Sequence, residues 1–365
     1  MRMILLGTGP FAVPTCQQML EDGHDIALVV TRPLVDPHAK KPPVRPVHQW
    51  ASQAGLEIYE PASVNSAEAV ERLAGLQADL MFVCDYGQIL SKACLSTTRL
   101  GGINLHGSLL PRHRGAAPVQ WTLLSGDTHA GVTVIHMTPR LDAGPALAIA
   151  RTEIVEDESA EQLEPRLAQL GVAATRQAIA LLDDWDGQKP IGVIQDASLV
   201  TKAPRFAKRD GQLDFRQSAE QLARQVRACQ PWPSTFAELA WPAGKRMRLL
   251  VKAARAVPVA LPELRDKPVG TVAVVDTRNS HAWQSEVLAA SATADEQAEA
   301  LATSALVLGY ADWSAPWQRV LAVATAEGTL LIGRVGPAGK REMSADEFLR
   351  GHPIAETAQF VLADD

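Results

Sequence analysis

Four short apolar runs constrain this chain of 365 residues more than any other feature: Met3–Leu6, Ile26–Val30, Met81–Cys84 and Gly102–Leu105. Each is too short for a core helix and is bounded by glycine or polar residues, the pattern of strands buried on both faces of a parallel sheet. Between and beyond them lie helical patterns, among them an amphipathic stretch around Ala160–Leu182. This alternation predicts an α/β domain over residues 1–188, built on a doubly wound, mostly parallel sheet. A polar, proline-bearing connection is expected over 189–208. A helix over Ser218–Cys229 and Val- and Leu-rich strands should follow within a second, smaller domain over 209–365. The Ala-rich stretch 276–317 fits neither pattern and is read as an insertion at the surface.

The opening strand runs into Gly7-Thr8-Gly9-Pro10-Phe11-Ala12, a Gly-x-Gly-x-x-Ala turn of the form that binds dinucleotides. A nicotinamide enzyme should then carry an acid after the second strand to hold the ribose. Thr31-Arg32-Pro33 stands there instead, which counts against a dehydrogenase without excluding a nucleotide phosphate.

Chemistry concentrates in Ile103-Asn104-Leu105-His106-Gly107-Ser108-Leu109-Leu110-Pro111-Arg112-His113-Arg114-Gly115 and in Leu141-Asp142-Ala143-Gly144. Asn104 and His106 are two apart on a strand and so share a face. They fall at its carboxyl end, where such sheets bind ligands. An amide, an imidazole and a carboxylate form a set suited to attack at a carbonyl carbon. Asn104 can donate to a developing oxyanion, His106 can donate or act as general acid, and Asp142 can orient the imidazole or a water and receive a proton. Ser108 is not read as a nucleophile, because it lacks the Gly-x-Ser-x-Gly elbow that exposes one.

These strings closely resemble the folate-dependent formyltransferases, and the likeness extends to Val335-Gly336-Pro337-Ala338-Gly339-Lys340 near the end of the chain. The resemblance implies that Asn104, His106 and Asp142 are the catalytic set. It implies 10-formyltetrahydrofolate as the formyl donor, no metal, and a second domain of the OB-like β-barrel type. By resemblance, Tyr86, Gly87, Gln88, Ile89 and Leu90, together with Ser108, Leu109, Leu110 and Pro111, hold the folate. Asp85 stands where many relatives carry a smaller residue and is open to reading as a folate contact or a loop carboxylate. Pro145 occupies a place where relatives often carry another acid, which leaves the carboxylate role to Asp142 alone.

The acceptor is a separate question. The net charge is −6, yet between Thr201 and Arg255 twelve Lys and Arg face four acids. A basic cluster of that size attracts phosphates despite an acidic total. With the resemblance, this window points to initiator methionyl-tRNA, held by Arg205, Lys208, Arg209, Lys245, Arg246 and Arg248 and by Lys40 and Lys41 in the loop after the second strand. The alternative acceptor is a sugar-nucleotide amine, served by the same catalytic core. Cys16, Cys84, Cys94 and Cys229 form no metal or disulfide pattern. With no membrane segment and no secretory leader in view, a reduced, monomeric, cytoplasmic enzyme is expected.

Overall fold

The computed structural model describes residues 1–34, 44–242, 244–277 and 318–362. Lys40, Lys41 and nearly all of the expected insertion lie outside the described residues. The chain divides into two compact units, one of Met1–Thr122 with Asp127–Arg205 and one of Leu123–Gly126 with Phe206–Asp365.

The first unit is built on a seven-stranded sheet of β1 (Arg2–Gly7), β2 (Asp25–Val30), β3 (Ile58–Tyr59), β4 (Leu80–Cys84), β5 (Gly102–His106), β7 (His129–His136) and β8 (Ala146–Glu153). Their order across the sheet is β3-β2-β1-β4-β5-β7-β8. The first five are parallel, whereas β7 runs antiparallel to both β5 and β8. From β1 the chain winds outward to β2 and β3 on one side, then to β4 and β5 on the other. The order therefore reverses between β1 and β4, and the carboxyl ends of those strands flank the crevice where open sheets take ligands.

Both faces of the sheet are covered, as the short apolar runs predict. Ile4, Leu6, Leu28, Val30, Met81 and Val83 belong to one core, and the intervening Met3, Leu5, Val29 and Phe82 are also fully buried. After α1 (Val13–Glu21), α2 (Pro46–Gln53), α3 (Ala67–Gly75), α4 (Lys92–Leu95) and α5 (Pro118–Leu124), the long helix α6 (Ala160–Asp183) begins with a capping box of Ser159 and Gln162, and buries Leu163, Leu167, Ala174, Ala178 and Leu182 at helical spacing. All four cysteines are free and buried.

In the second unit, β10 (Thr235–Ala240), β11 (Arg246–Val257), β12 (Val272–Asp276), β13 (Arg319–Ala324), β14 (Thr329–Pro337) and β16 (Gln359–Val361) form a sheet in the order β12-β13-β14-β11-β10-β16. The short β15 (Met343–Ser344) pairs with β14 off this path, and all paired neighbours are antiparallel. Its two ends meet: Thr271 bridges Gln359, and the Phe360 N–H donates to the Gly270 carbonyl at 2.8 Å. That contact curls the sheet into a small barrel and covers edges that would otherwise be left unpaired.

Strand β13 is buried on both sides. Leu321 and Val323 join a core that includes α7 (Ala219–Ala228), while Val320, Ala322 and Ala324 pack with Leu261 and Leu264 in another. The β12–β13 pairing runs to Asp276↔Arg319, and beyond it the Thr277 N–H donates to the Gln318 carbonyl at 3.0 Å. Thr277 and Gln318 thus stand side by side at the end of this strand pair. No described helix is long and apolar enough to cross a membrane.

Candidate active site

Where β1, β4 and β5 end, a cavity of about 390 Å³ opens within the first unit. Its size is that of an ordinary small-molecule site. Asn104, His106 and Asp142 all line it. Strand geometry explains the first two, since alternate residues at the end of β5 project to one side. Asp142 arrives from the turn between β7 and β8 with φ +48, a left-handed conformation that Asp tolerates better than most residues.

The Asn104 side-chain amide makes no hydrogen bond to any described residue, although the residue is half-buried. Its donors are free to meet a ligand. His106 is 5% exposed, and its Nε2 donates to the carbonyl of His113 at 2.9 Å. A carbonyl only accepts, so in the neutral ring the proton sits on Nε2 and the lone pair on Nδ1. That Nδ1 faces Asp142 Oδ2 at 3.8 Å, too far for a direct hydrogen bond. Orientation of the imidazole by Asp142 is therefore indirect at most, and the His113 carbonyl holds the ring.

Asp142 has its own supports. Its Oδ2 accepts from the Gly115 N–H at 2.9 Å, and its backbone carbonyl accepts from Gln195 Nε2 at 2.9 Å. Gln195 also donates to the Gly144 carbonyl at 2.7 Å and accepts from Arg114 at 2.6 Å. Nearby, β9 (Lys202–Ala203) pairs with β6 (Arg114–Gly115). Residues 189–205, read from the sequence as part of a connection, thus brace the turn that carries Asp142. Nothing in the local composition around Gln195 signals this, because the bond joins residues far apart in the chain.

The expected folate contacts divide into two groups. Tyr86, Gly87, Gln88, Ile89 and Leu90 line the cavity, whereas Ser108, Leu109, Leu110 and Pro111 do not. After Gly107 the chain turns away from the cavity and is tied down elsewhere. The Ser108 hydroxyl donates to the Arg112 carbonyl at 2.7 Å, and the Leu110 N–H donates to Thr133 Oγ1 at 3.1 Å. Phe11, Val119 and Ile135 supply apolar wall that the sequence reading did not select.

The cavity also holds a charged group with no counterpart in the expected catalytic set: Asp85, Glu164 and Arg205. Asp85 is exposed as a residue, yet its carboxyl is set against the glycine turn of β1. This loss of solvent pushes its pKa up to about 6, against the pull of Arg205 and of a hydrogen bond from the Gly9 N–H. Burial, with the neighbouring Asp85 charge, also raises Glu164.

A Cβ on Gly9 would lie 1.8 Å from Asp85 Oδ2, so only glycine lets the carboxylate approach. The Gly-x-Gly turn here receives a protein carboxylate at the place where a pyrophosphate would need the same N–H, which opposes the dinucleotide reading. Arg205, assigned from sequence to tRNA, belongs to this cavity wall.

The remaining basic residues lie in the second unit. Lys208 and Arg209 are exposed on a 3-10 turn. Lys245, Arg246 and Arg248 are exposed at the start of β11. Lys245 Nζ lies 4.8 Å from the Trp241 ring centre, Arg248 stacks 3.7 Å from that of Phe236, and Arg246 approaches Glu238 at 3.7 Å. Among the described residues no group of three or more His, Cys, Asp or Glu could hold a metal ion.

Comparison with known proteins agrees with this architecture. Residues 1–179 match the formyl transferase family and residues 205–300 its C-terminal domain. The methionyl-tRNA formyltransferase of Rhodopirellula baltica is 41% identical over 99% of this chain and 97% of its own length. That of Methylococcus capsulatus is 35% identical over 97% of this chain and 98% of its own. An N-formyltransferase from Helicobacter canadensis, solved with folinic acid and dTDP-3-aminofucose, shares the fold with a TM-score of 0.57 at 10% identity, over 90% of this chain and 98% of that one. A catalytic-type set at the switch point of a mostly parallel sheet, a barrel after it and full-length similarity at this level agree on one conclusion: the chain belongs to the methionyl-tRNA formyltransferases.

Proposed function

We propose that the chain transfers a formyl group from 10-formyltetrahydrofolate to the α-amino group of methionyl initiator tRNA, with Asn104, His106 and Asp142 carrying the chemistry. The observation that carries this reading is the cavity wall on which a free amide, an imidazole with an available Nδ1 and a carboxylate converge. In the reaction a bond forms between the amine nitrogen and the formyl carbon, the carbon's bond to the folate nitrogen breaks, and one amine proton must reach the departing nitrogen.

Asn104 donates to the oxygen of the formyl group as negative charge grows on it, a contribution of roughly 3 to 4 kcal/mol when the donor is preorganised. His106 Nδ1 takes up a proton in the neutral ring and supplies one when charged, so the same atom serves attack and departure. Asp142 Oδ2, 3.8 Å from Nδ1, receives the amine's proton as the new bond forms and passes it to Nδ1, which delivers it to the departing folate nitrogen. The backbone of Tyr86–Leu90 and the apolar side chains of Phe11, Val119 and Ile135 hold the pterin. Lys208, Arg209, Lys245, Arg246 and Arg248 hold tRNA phosphates, and Arg205 acts at the cavity. The enzyme works as a monomer in the cytoplasm.

The test is formylation of methionyl initiator tRNA by the purified chain with 10-formyltetrahydrofolate, run beside a sugar-nucleotide amine. Product on the tRNA alone is expected. Turnover on the sugar-nucleotide amine without tRNA product overturns the assignment of the acceptor.

A further inference from the structure

The bond that fixes the His106 ring ends on a carbonyl whose own position needs support. His113 adopts φ +61, in the left-handed region that non-glycine residues rarely occupy, and it is 2% exposed. Three bonds hold it there. Its backbone N–H donates to Thr201 Oγ1 at 2.8 Å, its imidazole Nε2 donates to Asp127 Oδ2 at 2.7 Å, and its Nδ1 meets the Thr201 hydroxyl at 3.3 Å. Asp127 accepts in turn from Arg112 Nη2 at 2.6 Å, while the Arg112 carbonyl is held by Ser108. Burial pushes the Asp127 carboxyl up, but His113 and Arg112 outweigh it and hold the group below the usual carboxylate range. Neither His113 nor Asp127 lines the cavity.

We infer that the His113–Asp127 pair is a positioning device for the proposed reaction: it fixes the carbonyl that selects the Nε2–H tautomer of His106 and aims Nδ1 at the reacting centre. The inference rests on the catalytic role proposed for His106. In metal sites, partners behind a ligating histidine fix its tautomer in the same manner. Here a main-chain oxygen does so, and a second histidine with its carboxylate sets where that oxygen lies. The charged groups around His106 are Asp142 at 3.8 Å and, on the cavity walls, Asp85, Glu164, Arg140 and Arg205. Those facing His113 are Asp127 and, through it, Arg112.

The experiment is nitrogen NMR of the His106 ring in the full chain, with the pH profile of kcat for methionyl-tRNA, in the wild type, Asp127→Ala and Asp127→Glu. The wild type should show the Nε2–H tautomer. In Asp127→Ala the tautomers should mix, kcat should fall about 10-fold as the reacting geometry loosens, and the midpoint assigned to His106 should move. Asp127→Glu should recover part of both readouts. Should Asp127→Ala not fold, Thr201→Val removes the other anchor and is expected to shift the tautomer in the same sense by less.

A His106 ring that keeps its tautomer and its pH midpoint in these variants overturns the inference, whatever their stability. The two readings fail separately. A wild type with no tRNA product but a tautomer that responds to Asp127→Ala sinks the functional assignment while leaving the positioning intact.

Discussion

The wall that carries Asn104, His106 and Asp142 and the strand end that carries Lys245, Arg246 and Arg248 hold their polar groups in opposite ways. In the first unit the functional groups are half-buried or buried, and their supports are backbone bonds, left-handed residues and side chains from distant segments. In the second the cations are exposed and rest on Trp241, Phe236 and Glu238 through contacts that long side chains can leave at little cost. The difference fits the tasks proposed for the two surfaces. Stabilising a developing charge requires donors already in place, because reorganising them during reaction would cancel the gain. Attracting a phosphate chain needs local positive charge and tolerates movement, since the energy comes from released counterions.

If that contrast holds, a single amide on the buried wall should outweigh two charges on the exposed one. Asn104→Ala should lower kcat about 100-fold or more with little change in melting temperature, measured as initial rates of formylation. A fall of less than about 3-fold would take Asn104 out of the mechanism.

Rigidity itself can be tested at Gly144, where an added Cβ would lie 1.8 Å from the His136 carbonyl. Gly144→Ala must displace backbone, so it should cost about 2 to 3 kcal/mol in unfolding free energy and disturb the Asp142 turn. Denaturant midpoints that match the wild type would show that the turn is softer than its packing implies.

On the exposed side, the double change Lys245→Glu and Arg246→Glu should weaken tRNA binding about 10-fold at physiological salt and flatten the slope of log affinity against log salt by about 1 to 2. Formylation at saturating tRNA should stay near wild type. An unaltered salt slope would remove these two residues from the tRNA surface.

The smallest expected effect concerns Asp85. Its folded pKa of about 6 lies above the ordinary value of 3.8, so between those pH values the folded chain binds the proton more tightly. Stability therefore falls as pH rises through this window, and the penalty persists above it. Asp85→Asn should flatten the dependence of melting temperature on pH between about 4 and 6. Identical profiles would mean that the carboxyl is better solvated than its crowding suggests.

Much of the fold is legible in the residues. Apolar runs of four or five bounded by glycine specify strands buried on both faces, and α6 and α7 follow their apolar spacing with Ser159 and Ser218 at their starts. Asn104 and His106 are legible as a pair because a strand alternates sides. The site beyond them is less so. Ser108–Pro111 follow that pair in an unbroken string, yet the turn after Gly107 takes them off the cavity, and no local propensity marks where a chain leaves a wall. Arg205 reads as one base in a basic window, although the structure sets it beside Asp85. Glu164 is one of several acids near the start of α6, and its place on the cavity wall depends on how that helix lies against the sheet.

What the sequence determined by itself is the periodicity: which runs are strands and helices, and which catalytic types sit at a strand's carboxyl end. Those properties depend on neighbours within a few residues. The tertiary structure alone decided which carbonyl holds the His106 ring, that Gln195 and Thr201 support loops more than fifty residues away, and that a carboxylate occupies the glycine turn of β1. Hydrogen bonds and charge effects act through space over a few ångströms, so a partner's distance along the chain carries no information about them until the chain has folded.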